Sequence, residues 1–480
     1  MRLGGQVIPP GTYTTLVITG DSIASGTVYV NGGTTFSLPT LTFASNAGLY
    51  WQQVGTLAGK AITQGTNSYI YVSGANNALT LDAATTVTGD VSIYSDGSAG
   101  TAITNQGVIT HTNGTGQIYA ASFTNTGSIT AGAGTLYLNN PNAGYNATNT
   151  GTVTADGSGT TIYLRGSFDN NGTLTAQNAG ILRWDGTNPT ANLGSVVING
   201  GRALLNGTIN NTAAILAAPS GGMFELYGGT IQGGSIAAGA LAFTASSGIL
   251  DGAILTGDLN LGTSSSGVNF TGGASFTGAN ATFANNAYIY WQQVGTLAGK
   301  TITQGTNSYI YVNGANNTLT LDAATTVTGD VSIYSDGSVG TAITNQGAIT
   351  HTTGSGQIYA ANFTNNGSIT ATAGTLYLNY PSASYNATNT GTVTVDGSGT
   401  TIYLRGNFDN NGTMTAQNAG NLIWDGANTT ANLGNVVLNG GRALLNGTIN
   451  NTAATLTAPG GGMFELHGGT IQGGTIAPAP

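Results

Sequence analysis

Catalysis needs titratable groups held close together, and this chain has few to group: 17 Asp and Glu, 8 Lys and Arg, 3 His and no Cys among 480 residues. His111 and His351 stand in matching Thr-His-Thr contexts. An imidazole can serve as acid or base, but Ala131, Ala155 and Ala176 take the equivalent place in later segments, which points to a structural corner. His467 stands where the related stretch has Tyr227. Asp96, Asp156 and Asp185 each precede Gly, as turn residues do. Polysaccharide lyases and hydrolases built on β-helices gather Asp, Arg or Lys on one strand face. Here Arg165 with Asp169, and Arg202 with Glu225, read as local pairs of little energetic weight, and the counterpart of Arg183 is Ile423. No Asp-rich calcium loop, His or Cys cluster, or phosphate-cradling Gly loop with its Lys is present. The expectation is a protein without enzymatic activity, cofactor or metal.

Charge excludes further classes. The net charge of −9 supplies no basic stripe for nucleic acid and no polybasic membrane anchor. No window approaches the roughly 18 apolar residues of a membrane span. Met1-Arg2-Leu3-Gly4-Gly5 lacks the apolar core of a secretory signal, so the expectation is a signal removed or lying upstream. The absence of Cys fits a secreted bacterial protein that does not depend on oxidative folding.

The elements that position these residues follow from repetition. Residues 51–238 return at 291–478 with a constant offset, about 85% identical, so residues 1–240 and 241–480 read as two tandem units in one continuous stack. Within each unit an Asn-x-Gly signature recurs, at Asn105, Asn125, Asn149 and Asn170 and again at Asn345, Asn365, Asn389 and Asn410. Steps of 20, 24 and 21 residues between these asparagines match single turns of a β-solenoid. Two or three strands per coil are expected, and about 20 coils at about 4.8 Å give a rod on the order of 100 Å.

Each signature leads into an alternating strand that sends Ile129, Val153 and Leu174 inward and Thr or Ser outward. A second strand buries Leu136, Leu138, Ile162 and Leu164 and leaves a tyrosine stripe outside. That stripe comprises Tyr71, Tyr94, Tyr119, Tyr137 and Tyr163, with Tyr311, Tyr334, Tyr359, Tyr377 and Tyr403 in the second unit. Phe123 and Phe168 fill the corner, and the Asn is expected to point inward and bond the backbone of the next coil. One coil alone cannot repay its backbone entropy of roughly 1 to 2 kcal/mol per residue. Stacking must therefore supply the stability. Neither end carries an evident cap, and residues 1–50 echo 241–290, as in Thr19-Gly20-Asp21 against Thr256-Gly257-Asp258. Head-to-tail association of chains through the coil edges is the expected partnership.

Runs such as Phe123-Thr124-Asn125-Thr126-Gly127-Ser128-Ile129-Thr130 and Phe168-Asp169-Asn170-Asn171-Gly172-Thr173-Leu174-Thr175 resemble the coils of bacterial autotransporter passengers and related secreted β-helix adhesins. The resemblance implies a right-handed parallel β-helix, export, and an extracellular or cell-surface role, without the family's C-terminal membrane barrel. The function expected is a building block of a surface fibre, filament or adhesive stalk. The alternatives are glycan binding on the tyrosine stripe and ice binding on the Thr-x-Thr ladders, the latter disfavoured because the uneven spacing of 20 to 24 residues argues for corners that shift.

Overall fold

The computed structural model describes residues 26–33, 35–382 and 384–478 in full and, before residue 26, the backbone of four two-residue strands. The chain divides into two units, Met1–Ala242 and Phe243–Pro480. Both are all-β solenoids of stacked parallel coils, with about 21 turns in the two together. Helix is confined to single turns at Thr190–Leu193 and Thr430–Leu433.

One coil shows the construction. Val108–His111, Thr115–Tyr119 and Ser122–Asn125 form three short strands, and Ser128–Ala131 then begins the next turn directly over Val108–His111. Each coil thus adds one strand to each of three parallel sheets. We call them the threonine, tyrosine and asparagine faces after their recurrent residues. Alternation does the sorting. Ile129, Val153 and Leu174 on the threonine face, and Leu136, Leu138, Ile162 and Leu164 on the tyrosine face, are wholly buried, while Phe123 and Phe168 close the core at the corner.

Uneven coil lengths leave the strand register untouched. Thr42, Thr63, Thr88, Thr110, Thr130, Thr154 and Thr175 pair coil to coil in one column. The longer coil places its additional residues outside the ladder, in the corner at 139–145, where Asn139 takes a left-handed φ of 71°. Asn139 Nδ2 ties that corner down by donating to the carbonyl oxygens of Arg165 and Ser167 at 3.0 and 2.7 Å. The expected shift of the corners is therefore corrected: slack is absorbed in loops.

The asparagines of the signature form the interior polar spine of each unit. Asn105, Asn125, Asn149 and Asn170 are buried to 1% exposure or less. The Nδ2 of each of the first three donates to the Oδ1 of the next at 2.7 Å, and the last donates to the Leu193 carbonyl at 2.8 Å, so the helical turn ends the chain of amides. Asn345, Asn365, Asn389 and Asn410 repeat this, again at 2.7 Å, and finish on Leu433. The expected bonds to the backbone of the next coil form, as from Asn105 Nδ2 to the Ser128 carbonyl and from Asn125 Nδ2 to the Thr152 carbonyl, but they are not the shortest. The principal partner is the next asparagine side chain, with carbonyls such as Gly127 and Thr152 taking the remaining capacity of Asn125. The glycine of the signature has a separate cause. A Cβ on Gly127, Gly151 or Gly172 would collide with the carbonyl oxygen of the preceding signature glycine, so only Gly permits the coils to approach.

The pairing of the first strands differs from that of the later coils. Arg2–Leu3 pairs antiparallel with Gln6–Val7, and Leu3 also pairs antiparallel with Ile23, which departs from the parallel rule of every later ladder described.

Because Asn125 is buried and its amide is bonded to its neighbours in the spine, Asn125→Asp is expected to destabilise unit 1 by about 3 to 5 kcal/mol through an uncompensated buried charge. Asn125→Ala should cost about 1 to 3 kcal/mol, the penalty for partners left unpaired. Denaturant unfolding checks both, and equal stability of the three proteins would refute the spine as a structural element.

Candidate functional site

The tyrosine face is two ladders, not the single stripe expected. Tyr71, Tyr94 and Tyr119 share a column. Tyr137 instead pairs with Gln117, and Tyr163 with Tyr137, which places this second column two residues earlier along the strand. Unit 2 divides identically, with Tyr311, Tyr334 and Tyr359 in one column and Tyr377 and Tyr403 in the other. Strand Thr115–Tyr119 carries Gln117 between Ser92 of one neighbouring coil and Tyr137 of the other, so the second column of rings begins only at Tyr137.

The rings pack on one another. Tyr71 and Tyr94 lie 5.1 Å apart at 54°, Tyr94 and Tyr119 5.4 Å apart at 32°, and Tyr137 and Tyr163 4.9 Å apart at 40°. Tyr69, Tyr50 and Tyr145, which the sequence reading left out, join the same cluster through Tyr94, Tyr71 and Tyr119. Their signal was present, since Tyr69 and Tyr71 alternate about Ile70 and both must face outward. Burial, with neighbouring phenols second, pushes Tyr94 and Tyr334 each up to about 12. Tilted contacts of this kind favour a self-stabilising ladder over flat platforms open to a sugar ring.

The threonine face is more regular. Outward positions flank each buried aliphatic, as in Thr86-Val87-Thr88, Ser128-Ile129-Thr130, Thr152-Val153-Thr154 and Thr173-Leu174-Thr175. Unit 2 carries the corresponding column at Thr282, Thr303, Thr328, Thr350, Thr370, Thr394 and Thr415.

Charged groups resolve into local contacts. Arg202 meets Glu225 through two hydrogen bonds, and Arg442 meets Glu465 likewise, as the sequence suggested for the first pair. The suggested Arg165–Asp169 pair does not form. Arg165 lies on the tyrosine face and turns back over the Tyr137 ring at 3.5 Å, whereas Asp169 lies around the corner on the asparagine face and accepts from Asn171. Asp96 accepts the amides of Gly74 and Ser98, and Asp156 and Asp185 accept from Asn178 and Asn206, so all three brace turns or neighbouring coils.

His111 is fully buried, and its Nδ1 accepts the Val91 amide proton at 3.1 Å, while His351 does the same with Val331 at 3.2 Å. A ring nitrogen that accepts must be unprotonated. Burial holds each imidazole below its usual value, with Asp90 or Asp330 opposing. Gly116 approaches so closely that a Cβ would sit 2.8 Å from the His111 Nδ1. Among the described residues no three His, Asp or Glu converge as a metal-holding group, and no helix is long and apolar enough to cross a membrane.

Unfolded histidine titrates near 6.5, and the folded value lies lower, so the unfolded chain binds more protons between the two. The stability contributed is complete above about pH 6.5 and is lost as pH falls toward the folded value. The thermal midpoint should therefore drop between pH 7 and 5, and His111→Gln with His351→Gln should flatten that dependence. An unchanged pH profile in the double variant would contradict the assignment. No protein-family model, curated protein or solved structure matches this chain.

Proposed function

We propose that this chain is a structural repeat protein of the extracellular or cell-surface space, a module that joins other copies by coil-on-coil stacking into a filament or adhesive stalk. The observation that carries this reading is the self-complementarity of the coil edge. Asn105, Asn125 and Asn149 each donate to the identical Asn of the next coil at 2.7 Å, and Thr stands on Thr in the same way. An edge of this kind is a template for another edge like itself. At the strands Phe464–Leu466 and Thr475–Ile476 the apolar side chains of Leu466 and Ile476 are 60% and 62% exposed, a surface suited to such a contact. A heterologous contact made through it does not close on itself and propagates. The resemblance to secreted β-helix adhesins agrees with this setting.

Sedimentation and electron microscopy across a concentration series test the proposal. Filaments with an axial repeat near 50 Å, about 10 to 11 coils at the stacking distance, are expected, and Leu466→Asp with Ile476→Asp should abolish them. Monodisperse monomers at the highest concentration would overturn it.

The unbroken register of the threonine column favours a second reading, in which that face orders water as an ice-binding surface. Thermal hysteresis that disappears in Thr130→Tyr with Thr154→Tyr is the expected outcome of this reading, and its absence from the unmodified chain would dismiss it.

A further inference from the structure

The two copies agree at every Asp, Glu, Lys and Arg of residues 51–238 except one: Arg183, replaced by Ile423. The ring beside it changes as well, Tyr227 becoming His467. These exchanges meet in space. In unit 1 the Arg183 guanidinium carbon lies 5.1 Å from the Tyr163 ring and 5.4 Å from the Tyr227 ring, so the cation sits between two phenols. Arg165, held over Tyr137, lies 5.7 Å from the same Tyr163 ring.

Neither guanidinium is neutralised. Among the described residues the ion-paired arginines are Arg202 and Arg442, and the buried Nε of Arg183 has no hydrogen-bond partner. Asp185 stands opposite Arg165 in the strand register, but it accepts from Asn206 at 2.7 Å. The local balance is thus two positive charges against one negative on the surface of an acidic protein. Unit 2 lacks this cation: Ile423, which stands at the position equivalent to Arg183, is buried, at 8% exposure.

We infer that the Arg165, Arg183, Tyr163 and Tyr227 surface of unit 1 is a binding site for a carboxylate-bearing glycan. A guanidinium offers paired donors to a carboxylate, and the hydroxyl tips of the half-buried phenols, whose faces are taken up by one another and by the cations, offer hydrogen bonds to sugar hydroxyls. Stacked rings hold the guanidinium in place through cation–π attraction and so lower the ordering cost of binding. The single net positive charge suits one carboxylate per sugar residue, and at physiological salt the screening length of about 8 Å limits repulsion from the remaining acidic groups. Because unit 2 carries Ile423 and His467 at these two positions, a single site per chain follows.

Titration calorimetry of the full chain with a hexagalacturonate, and with a neutral hexasaccharide as comparison, tests this. Binding of the uronate alone with one site per chain is expected. Arg183→Ile, a change that the second copy tolerates, should weaken it about tenfold, as loss of a charge-assisted hydrogen bond does. The reciprocal Ile423→Arg with His467→Tyr should raise the stoichiometry to two. Absence of uronate binding, equal binding of the neutral sugar, or undiminished affinity in Arg183→Ile would overturn the assignment.

Discussion

The structure depends on a hydrogen bond made by a neutral side chain inside a narrow core. Each coil has to turn a corner, and a corner leaves backbone groups that cannot join a ladder. The buried asparagines provide for this in both directions: they accept and donate at their own turn, as Asn105 does with the amide and carbonyl of Gly107, and they donate to the next coil. A carboxylate could not donate and an aliphatic side chain could do neither. The signature glycine follows from the same constraint, since the corners that the asparagines bind together approach too closely for a Cβ.

Once the interior is satisfied in this way, the outward positions are free to carry chemistry without threatening the fold. That explains the distribution of side chains over the surface. Threonine repeats where a pleated, half-exposed strand favours it, tyrosines lean on one another, and the few charged groups brace turns or pair across coils. It also explains why the two copies can differ at Arg183 and Tyr227 while the spine between Asn105 and Asn170 is repeated residue for residue at its asparagines. Ile423 and Leu444 are both buried at outward positions of unit 2, so an apolar patch there is sealed by its own members where unit 1 keeps a cation.

Much of this was legible in the sequence because the parallel solenoid translates periodicity into geometry almost directly. The Asn-x-Gly spacing marked the coils, and alternation about Ile129, Val153 and Leu174 marked the interior. What was not legible depended on register. Spacing alone cannot say whether four additional residues displace a strand or bulge from a corner, and the loop at 139–145 shows the second. The same uncertainty hid the break in the tyrosine stripe, which follows from Gln117 standing opposite Tyr137. The partner of each asparagine needed the distance between coils, and Arg165 was assigned to Asp169 because sequence proximity concealed that the two lie on different faces. Nothing local in Thr110-His111-Thr112 announces that the imidazole accepts an amide from Val91 in the preceding coil.

The direct test of the central claim is hydrogen exchange of the asparagine side-chain amides, followed by nuclear magnetic resonance on a chain with selectively labelled asparagine. If the amides of Asn105, Asn125 and Asn149 form a closed interior spine, their Nδ2 protons should exchange only when coils open, and as slowly as the backbone amides of the adjoining buried strands. Exchange at the rate of a free primary amide, while those backbone amides remain protected, would show that the spine is open to water and would contradict the account.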